Sequence, residues 1–291
     1  MLRTNFYKEI EKNKRKSILL AFTFIILISL FGAIVGLVIT PDSFFEIQII
    51  FTIISLVYVW FTYTFSDKIA IKFSGAREAK RNEYLVLNDL VEGLSIAAGI
   101  KKPKIYVLDS EDINAFATGK DPDHGIIVVT KGALNKLNKR ELEGVLAHEI
   151  SHILNNDIKF MSFVVALVGM VSLLSQLFLR SRWKVSNKKE DKTIIIILGF
   201  ILAILAPIFA KLVQLAISRK REYLADATAV KLTRYPYGLA NALKKIMYEN
   251  KGINVSDAIA PLFISSPLRN MSNWLSTHPP IEKRIKILES M

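Results

Sequence analysis

The sequence predicts a mainly α-helical membrane protein that carries an α+β domain with a small, edge-exposed β-sheet. The membrane part is predicted because 51% of the 291 residues are hydrophobic and four segments lack any charged residue. Each segment approaches the length that a helix needs to cross a bilayer. The sheet is predicted by short apolar runs bounded by turn-forming residues. The uncharged segments are 17–40, 47–65, 160–179 and 193–210.

Positive charge lies beside the first two segments. The chain has 39 basic and 26 acidic residues, a formal net charge of +13. Basic residues precede the first segment and follow the second, whereas the connection 41–46 has none. Because Lys and Arg in short flanks stay in the cytoplasm, we expect the N-terminus and the chain after residue 66 to be cytoplasmic. Charge and apolar content together indicate a protein of the lipid bilayer rather than a nucleic-acid binder.

The segments divide the chain into four predicted parts. The loop at 181–192, between the third and fourth segments, is basic and conflicts with a location outside the cell. Either the first two helices dominate the topology, or the second hairpin enters the membrane without crossing it. The predicted parts are an N-terminal transmembrane hairpin at 1–66, a mixed α+β part at 67–157, a second membrane hairpin at 158–218 and a final part at 219–291.

Local patterns predict the elements between the two hairpins. Helical periodicity extends over 79–98 and stops at a glycine. Strand character is found at 104–108 and 125–130, and 114–117 is predicted to form a third, exposed strand. Asn138 with Glu141 is a capping box, which predicts a helix that begins there and contains residues 148–152.

That helix contains the sequence HEISH at 148–152. His148 and His152 are an i,i+4 pair on one helix face, so their imidazoles can converge on a tetrahedral Zn²⁺. Glu149 can take a proton from zinc-bound water and pass it to a leaving amine, which is the chemistry of amide hydrolysis. The alternative is an amphipathic helix with two hydrogen-bonded histidines. The absence of cysteine excludes thiolate ligands and leaves histidines and carboxylates.

A catalytic zinc ion usually has three protein ligands and one open position. Glu222 is the predicted third ligand, although it lies 70 residues beyond His152. The intervening chain corresponds to the second hairpin, which returns Glu222 to the side of the membrane that carries the histidines. Asp226, one turn further on, can accept a hydrogen bond from the second ring nitrogen of a ligand histidine. The alternative for this pair is a solvated helix face, with its carboxylates bound to Arg219 or Arg221.

Five motifs together resemble the HtpX family of membrane-bound zinc metalloproteases. They are LAHEISHILNND, SRKREYLAD, NAFATG at 114–119, SGARE at 74–78 and STHPPIEKRI near the end of the chain. Members of this family are gluzincins, in which a later ExxxD helix completes the HExxH site, here with Glu222 and Asp226. The sequence departs from the family at Asn156, where glycine is common. The resemblance implies a zincin-like catalytic domain in the cytoplasm, one zinc ion per chain, and cleavage of misfolded or damaged membrane proteins in bacterial membrane quality control.

The resemblance also gives two further regions a role. The residues Asn114, Ala115, Phe116 and Ala117 resemble the edge strand against which such proteases align substrate, and an unpaired edge can hold an extended peptide through main-chain hydrogen bonds. A surface loop is the alternative. His278 can donate a hydrogen bond to the oxyanion of the tetrahedral intermediate, or it can cap or pack the terminal helix.

These observations predict an integral membrane zinc endopeptidase of the cell membrane, acting on unfolded or membrane proteins. The main alternative is a proteolytically silent membrane sensor or scaffold with a structural zinc ion. Glu149 argues against this alternative, because a structural site needs no such carboxylate and usually has a fourth protein ligand.

Overall fold

The computed structural model describes residues 2–39, 41–167, 219–250, 262–264 and 279–291. Most of these residues are helical, and one four-stranded sheet lies among them. The prediction of a mainly α structure with a small sheet is therefore confirmed for this part of the chain. The third and fourth predicted membrane segments lie outside the described residues, except for 160–167, which are helical.

Two long helices at the start of the chain form a hairpin. Helix α1 (Leu2–Ile39) and helix α2 (Phe44–Ser74) are connected through a 3-10 turn at Pro41–Ser43. Among the described helices, these two are long and apolar enough to cross a membrane, with candidate spans at Arg15–Ile34 and Pro41–Ser74. The first two predicted segments therefore fold as helices of the expected length.

Glycines allow these two helices to approach closely. A Cβ atom at Gly32 would lie 2.6 Å from the Cβ of Phe51, and one at Gly36 would lie 3.3 Å from the Cα of Phe44. Small residues at helix interfaces are typical of packing inside a bilayer, where close van der Waals contact replaces the hydrophobic effect.

The other described elements form a mixed α/β part. The strand order is β1-β2-β4-β3, in which β2 and β4 are parallel and β1 and β3 are antiparallel to their neighbours. The predicted strands at 104–108 and 125–130 are confirmed with the same bounds. In chain order the elements are β1 (Arg77–Glu78), α3 (Leu85–Ala98), β2 (Lys104–Leu108), β3 (Ala115–Gly119), β4 (Gly125–Thr130), α4 (Lys131–Lys136), α5 (Lys139–Leu154), α6 (described over Ile158–Leu167), α7 (Arg219–Thr233), α8 (Pro236–Glu249) and α9 (Ile281–Glu289).

Strand β3 lies at the edge of the sheet, but the prediction of an exposed strand at 114–117 is wrong in its bounds and its exposure. The strand begins at Ala115 and ends at Gly119, and all five residues are buried. Helices α2 and α5 pack against it, and the N–H of Ile264 donates a hydrogen bond to the carbonyl of Ala115 at 2.9 Å. These covering residues are distant in sequence, so a local pattern does not reveal them.

Helix α3 begins later than its periodicity predicts. It starts at Leu85 rather than at residue 79, and it ends before Gly99, as predicted. The N–H of Ala79 donates to the carbonyl of Ile105 at 2.9 Å, which continues the pairing of β1 with β2. Pairing with a strand more than 20 residues away overrides the local helical pattern at residue 79.

Helix α5, which contains HEISH, lies at the centre of the mixed part. Asn138 and Glu141 form the predicted capping box, in which each side chain accepts a hydrogen bond from the other residue's N–H. The helix contacts β3, β4, α3, α7 and α8. Its buried apolar side chains are Leu142, Val145, Leu146, Ala147, Ile150 and Ile153. This packing on several sides holds the motif in a fixed position.

Helix α6 connects the end of α5 to the apolar hairpin. Phe163 packs with Leu20 and Phe24 in one buried cluster, and the hydroxyl of Tyr58 donates a hydrogen bond to the carbonyl of Leu167 at 3.0 Å. Since three residues separate α5 from α6, the helix with the HEISH sequence is joined directly to the candidate membrane helices.

Candidate metal centre

Three of the predicted site residues converge between helices α5 and α7. His148 and His152 lie one turn apart on the same face of α5, and Glu222 faces them from the first turn of α7. The Nε2 atoms of the two histidines are 3.2 Å apart. The carboxylate oxygens of Glu222 lie 3.7 Å from Nε2 of His148 and 3.6 Å from Nε2 of His152. The structure thus brings together residues that are 70 positions apart in sequence.

These separations fit a zinc ion. Ligand atoms that lie about 2.0–2.1 Å from a tetrahedral zinc ion are about 3.3 Å from one another. The separation of the two Nε2 atoms, 3.2 Å, is close to that value, and the Glu222 carboxylate presents one oxygen 3.7 Å from Nε2 of His148 and the other 3.6 Å from Nε2 of His152. Two imidazoles and one carboxylate also form a donor set of the kind found in catalytic zinc sites, which keep a fourth position open.

Each histidine is oriented by its own carboxylate. Nδ1 of His148 lies 2.9 Å from Oδ1 of Asp226, and Nδ1 of His152 lies 3.4 Å from Oδ2 of Asp157. Because an ionised carboxylate only accepts hydrogen bonds, Nδ1 is the donor in both pairs, and each Nε2 is directed at the other ring. Two nitrogen lone pairs repel each other at 3.2 Å, so the arrangement requires a proton or a metal ion between them.

The electrostatics of the site agree with this arrangement. Burial acts to lower the pKa of His148, but the carboxylates of Asp226 and Glu222 outweigh burial and raise it to about 9. Burial acts to raise the pKa of Asp226, but the charge of Arg284 and the hydrogen bond from His148 hold it at about 2. Without a metal ion, a proton therefore supplies the positive charge at His148.

Glu149 is buried next to the two histidines, with 1% of its surface exposed. Its Oε1 atom has no hydrogen-bond partner among the described residues. Burial raises the pKa of Glu149, and the nearby His148 and His152 offset part of this effect. A buried carboxylate with an unsatisfied oxygen and a raised pKa is suited to accept a proton from a water molecule beside it.

Sequence reasoning missed Asp157. Its carboxylate lies beside His152, and Nη1 of Arg221 approaches its Oδ1 at 3.8 Å. The residue belongs to the LAHEISHILNND motif, but its contact with His152 depends on how helix α5 ends. Asp226, by contrast, contacts His148 as predicted, and it is bound by Arg284 rather than by Arg219 or Arg221.

The structure places Ala117, one of the substrate-strand candidates, beside the metal site, whereas His278 lies outside the described residues. An open cleft of about 420 Å³ passes beside the site and brings Ala117 together with His152 and Glu222. Phe116 is fully buried and packs edge-on against Phe263, with ring centroids 4.9 Å apart. His278 lies outside the described residues, so its predicted role remains a prediction. The cleft is lined by Ala117, His152, Asp157, Ile158, Met161, Arg221, Glu222, Leu262, Phe263 and Ile264.

Two histidines from an HExxH helix, a glutamate from a later helix and a buried carboxylate beside them define the site of a metallopeptidase. Residues 79–291 match the model of Peptidase family M48. The chain therefore belongs to this peptidase family, which confirms the predicted metalloendopeptidase.

Curated relatives match nearly the whole chain. The Protease HtpX homolog of Dictyoglomus thermophilum is 46% identical over 293 residues, covering 98% of this chain and 95% of its own length. The homolog of Dictyoglomus turgidum is 47% identical, with the same shares covered, and that of Ligilactobacillus salivarius is 37% identical, covering 98% and 99%. Within the peptidase family, the chain therefore belongs to the HtpX group of membrane proteases. Among solved structures, S. mikatae Ste24p is 24% identical, with a TM-score of 0.48, covering 97% of this chain and 67% of that protein.

Proposed function

We propose that this metallopeptidase binds one zinc ion through His148, His152 and Glu222 and uses it to cleave unfolded or damaged membrane proteins. The observation that carries the proposal is the convergence of two imidazole Nε2 atoms, 3.2 Å apart, with the Glu222 carboxylate, whose two oxygens lie 3.6 and 3.7 Å from them, beside the unsatisfied carboxylate oxygen of Glu149. A closed structural site has four protein ligands. This site has three among the described residues, which supports catalysis over the sensor or scaffold alternative.

The residues of the site have separate tasks in peptide hydrolysis. When bound, a zinc ion supplies the Lewis acidity that makes water nucleophilic near neutral pH and polarises the peptide carbonyl. Glu149 accepts the proton of the attacking water and then delivers it to the amine that leaves, because its raised pKa suits it to both steps. Asp226 and Asp157 hold the two imidazole rings so that each Nε2 remains directed at the metal position.

An extended substrate can pair with the outer side of β3 at Ala117, beyond Ala115, whose carbonyl already accepts a hydrogen bond from Ile264. The main-chain groups of Asn114 face β4, because its carbonyl accepts from the N–H of Thr130, and those of Phe116, two residues further on, face the same way. Since successive residues of a strand alternate in direction, the main-chain groups of Ala115 and Ala117 face away from β4. Ala117 lies in the cleft with His152 and Glu222. A peptide paired with Ala117 would therefore pass the metal position.

The site is joined to the membrane part by α6, whose residue Phe160 follows His152 by only eight positions. This spacing supports substrates that are themselves in or near the bilayer. The basic flanks of the first two segments support a cytoplasmic location for the catalytic parts. We therefore propose that the chain consists of two membrane hairpins, at 1–66 and 158–218, and two catalytic parts, at 67–157 and 219–291.

Metal content and proteolysis of the detergent-purified protein test the proposal. We expect one zinc ion per chain and degradation of casein that stops with a chelator and resumes when zinc is returned. Glu222→Ala should lose the zinc, because two histidines alone leave the ion under-coordinated. Glu249→Ala, which changes an exposed glutamate on α8, should retain it. Stoichiometric zinc at wild-type affinity in Glu222→Ala would place the third ligand elsewhere.

A further inference from the structure

Arg284, on the C-terminal helix α9, is one of the largest fully buried side chains among the described residues, with 1% of its surface exposed. A buried guanidinium is costly unless all of its donors and its charge are compensated. We propose that Arg284 is a positioning residue of the metal site: it fixes the carboxylate that orients His148 and connects that carboxylate to the strand along the cleft. This inference rests on the proposed function.

Arg284 binds Asp226 through two hydrogen bonds. Nε of Arg284 donates to Oδ2 at 2.9 Å, and Nη2 donates to Oδ1 at 2.7 Å. Two parallel bonds fix the plane of the carboxylate. Nδ1 of His148 donates to the same Oδ1 at 2.9 Å, so the imidazole and the guanidinium share one acceptor. Nη2 of Arg284 and Nδ1 of His148 are 3.4 Å apart for this reason, since both are donors.

The remaining nitrogen of the guanidinium, Nη1, connects Arg284 to the sheet through Ile264. Nη1 of Arg284 donates to the carbonyl of Ile264 at 3.0 Å, and the N–H of Ile264 donates to the carbonyl of Ala115 in β3 at 2.9 Å. A continuous series of hydrogen bonds therefore runs from His148 through Asp226 and Arg284 to the edge of the sheet. Nη1 also lies 3.8 Å from Oε2 of Glu222, where its charge stabilises the ligand carboxylate.

Lysine cannot replace arginine in this arrangement. A lysine ammonium keeps the positive charge, but it has no planar fork that can bind both oxygens of Asp226 and reach Ile264 at the same time. Arg284→Lys therefore separates the charge of the residue from its geometry. Arg140→Lys is the matched control, because Arg140 lies on the HEISH helix itself but has 68% of its side chain exposed.

The experiment measures zinc affinity by chelator competition on the detergent-purified full chain. Loss of a group that orients a metal-bound histidine typically weakens metal binding by about 10- to 100-fold. We expect a loss of this order for Arg284→Lys and no change for Arg140→Lys. At saturating zinc, Arg284→Lys should also lower kcat, because the metal site is misaligned. A residue with only a structural role would lower the thermal stability of the metal-free protein and leave zinc affinity unchanged.

Zinc affinity within twofold of wild type in Arg284→Lys, with an unchanged kcat, would overturn the inference while leaving the proposed function intact. A wild-type protein that binds no zinc would instead overturn the proposed function. If Arg284→Lys does not fold, the double variant Arg284→Gln with Asp226→Asn removes both buried charges together. Its zinc affinity should fall by the same order, and wild-type affinity in that variant would contradict the inference.

Discussion

Asn156 shows how one backbone angle completes the metal site. Its φ is 56°, in the left-handed region that asparagine tolerates better than most residues other than glycine. The N–H of Asn156 donates to the carbonyl of Ile153, and the N–H of Asp157 donates to that of His152, both at 3.0 Å. These two bonds form a Schellman motif at the end of α5, which turns Asp157 back toward His152. Glycine adopts the same backbone conformation without steric cost.

Substitution of Asn156 separates conformation from side chain. We expect Asn156→Ala to destabilise the protein by about 1–2 kcal/mol, because a Cβ is strained in the left-handed region. It should also weaken zinc binding, since Asp157 loses its position on His152. Asn156→Gly should be at least as stable as wild type and keep zinc affinity. Thermal unfolding and chelator competition measure both effects, and equal stability of the alanine and glycine variants would contradict this explanation.

The sequence predicted five residues of the site, Asp226 among them, and missed two. The HEISH motif alone predicts that His148, Glu149 and His152 lie together, because they are close on one helix. The ExxxD motif predicts Glu222 as the third ligand. Asp157 depends on the conformation of its neighbour, which composition does not reveal. Arg284 lies 58 residues beyond Asp226, and no periodicity connects an arginine to a distant carboxylate.

The contact between α5 and α8 has no room for a side chain at Gly144. A Cβ atom there would lie 2.5 Å from the backbone nitrogen of Leu239, and one at Gly238 would lie 2.6 Å from the carbonyl oxygen of Arg140. Backbone atoms cannot move aside as a flexible side chain can. The two glycines therefore set the distance between the helices. Close contact with α8 fixes the position of α5, which carries the metal-binding histidines.

Gly144→Ala tests this contact. We expect a loss of about 1–3 kcal/mol, the usual cost of inserting an atom into a closely packed region. Gly93→Ala, in the middle of α3 with no neighbour within 4 Å of the added atom, should instead be neutral or stabilising by up to about 1 kcal/mol, because alanine has the higher helix propensity. Thermal unfolding of the two metal-free variants gives the comparison. If Gly144→Ala were as stable as Gly93→Ala, the close approach would be disproved.

Local pattern was sufficient for the elements whose surroundings are local. The capping box at Asn138 and the strands β2 and β4 agree with prediction because turn residues and apolar runs define them. Helix α3 starts later than predicted because Ala79 is hydrogen-bonded to Ile105 in β2. Strand β3 is less exposed than predicted because Ile264, which is distant in sequence, is hydrogen-bonded to it. Long-range pairing therefore sets the limit of what periodicity predicts in this fold.

At the scale of the whole molecule, the apolar hairpin and the metal site form one connected structure through α6. The chain beyond Leu167 returns to the site at Arg219, so the topology of 168–218 decides on which side of the membrane its loop lies. The predicted segments of 20 and 18 uncharged residues at 160–179 and 193–210 are each long enough to cross. We therefore expect the loop at 181–192 to lie on the side opposite the metal site.

A cysteine at Ser186 tests this topology in a chain that has no cysteine of its own. Ser186→Cys in intact cells should react with a membrane-impermeant thiol reagent, because the loop is expected outside the cytoplasm. A cysteine at Ser110, near the end of β2, is the control and should react only after lysis. Labelling of both positions only after lysis would favour a second hairpin that enters the membrane without crossing it.

The central claim is that Glu149 moves the proton in a zinc-dependent peptidase. Glu149→Gln keeps the size of the side chain and the helix but cannot accept the proton. We expect the Glu149→Gln variant to hold a full complement of zinc and to bind casein without cleaving it. Its rate of hydrolysis should fall by at least the roughly 10²–10⁴-fold typical of one acid–base group. Glu143→Gln, which changes a half-buried glutamate on the same helix that pairs with the exposed Arg140, should cleave casein at the wild-type rate. Near-normal cleavage by purified, zinc-loaded Glu149→Gln would contradict the account.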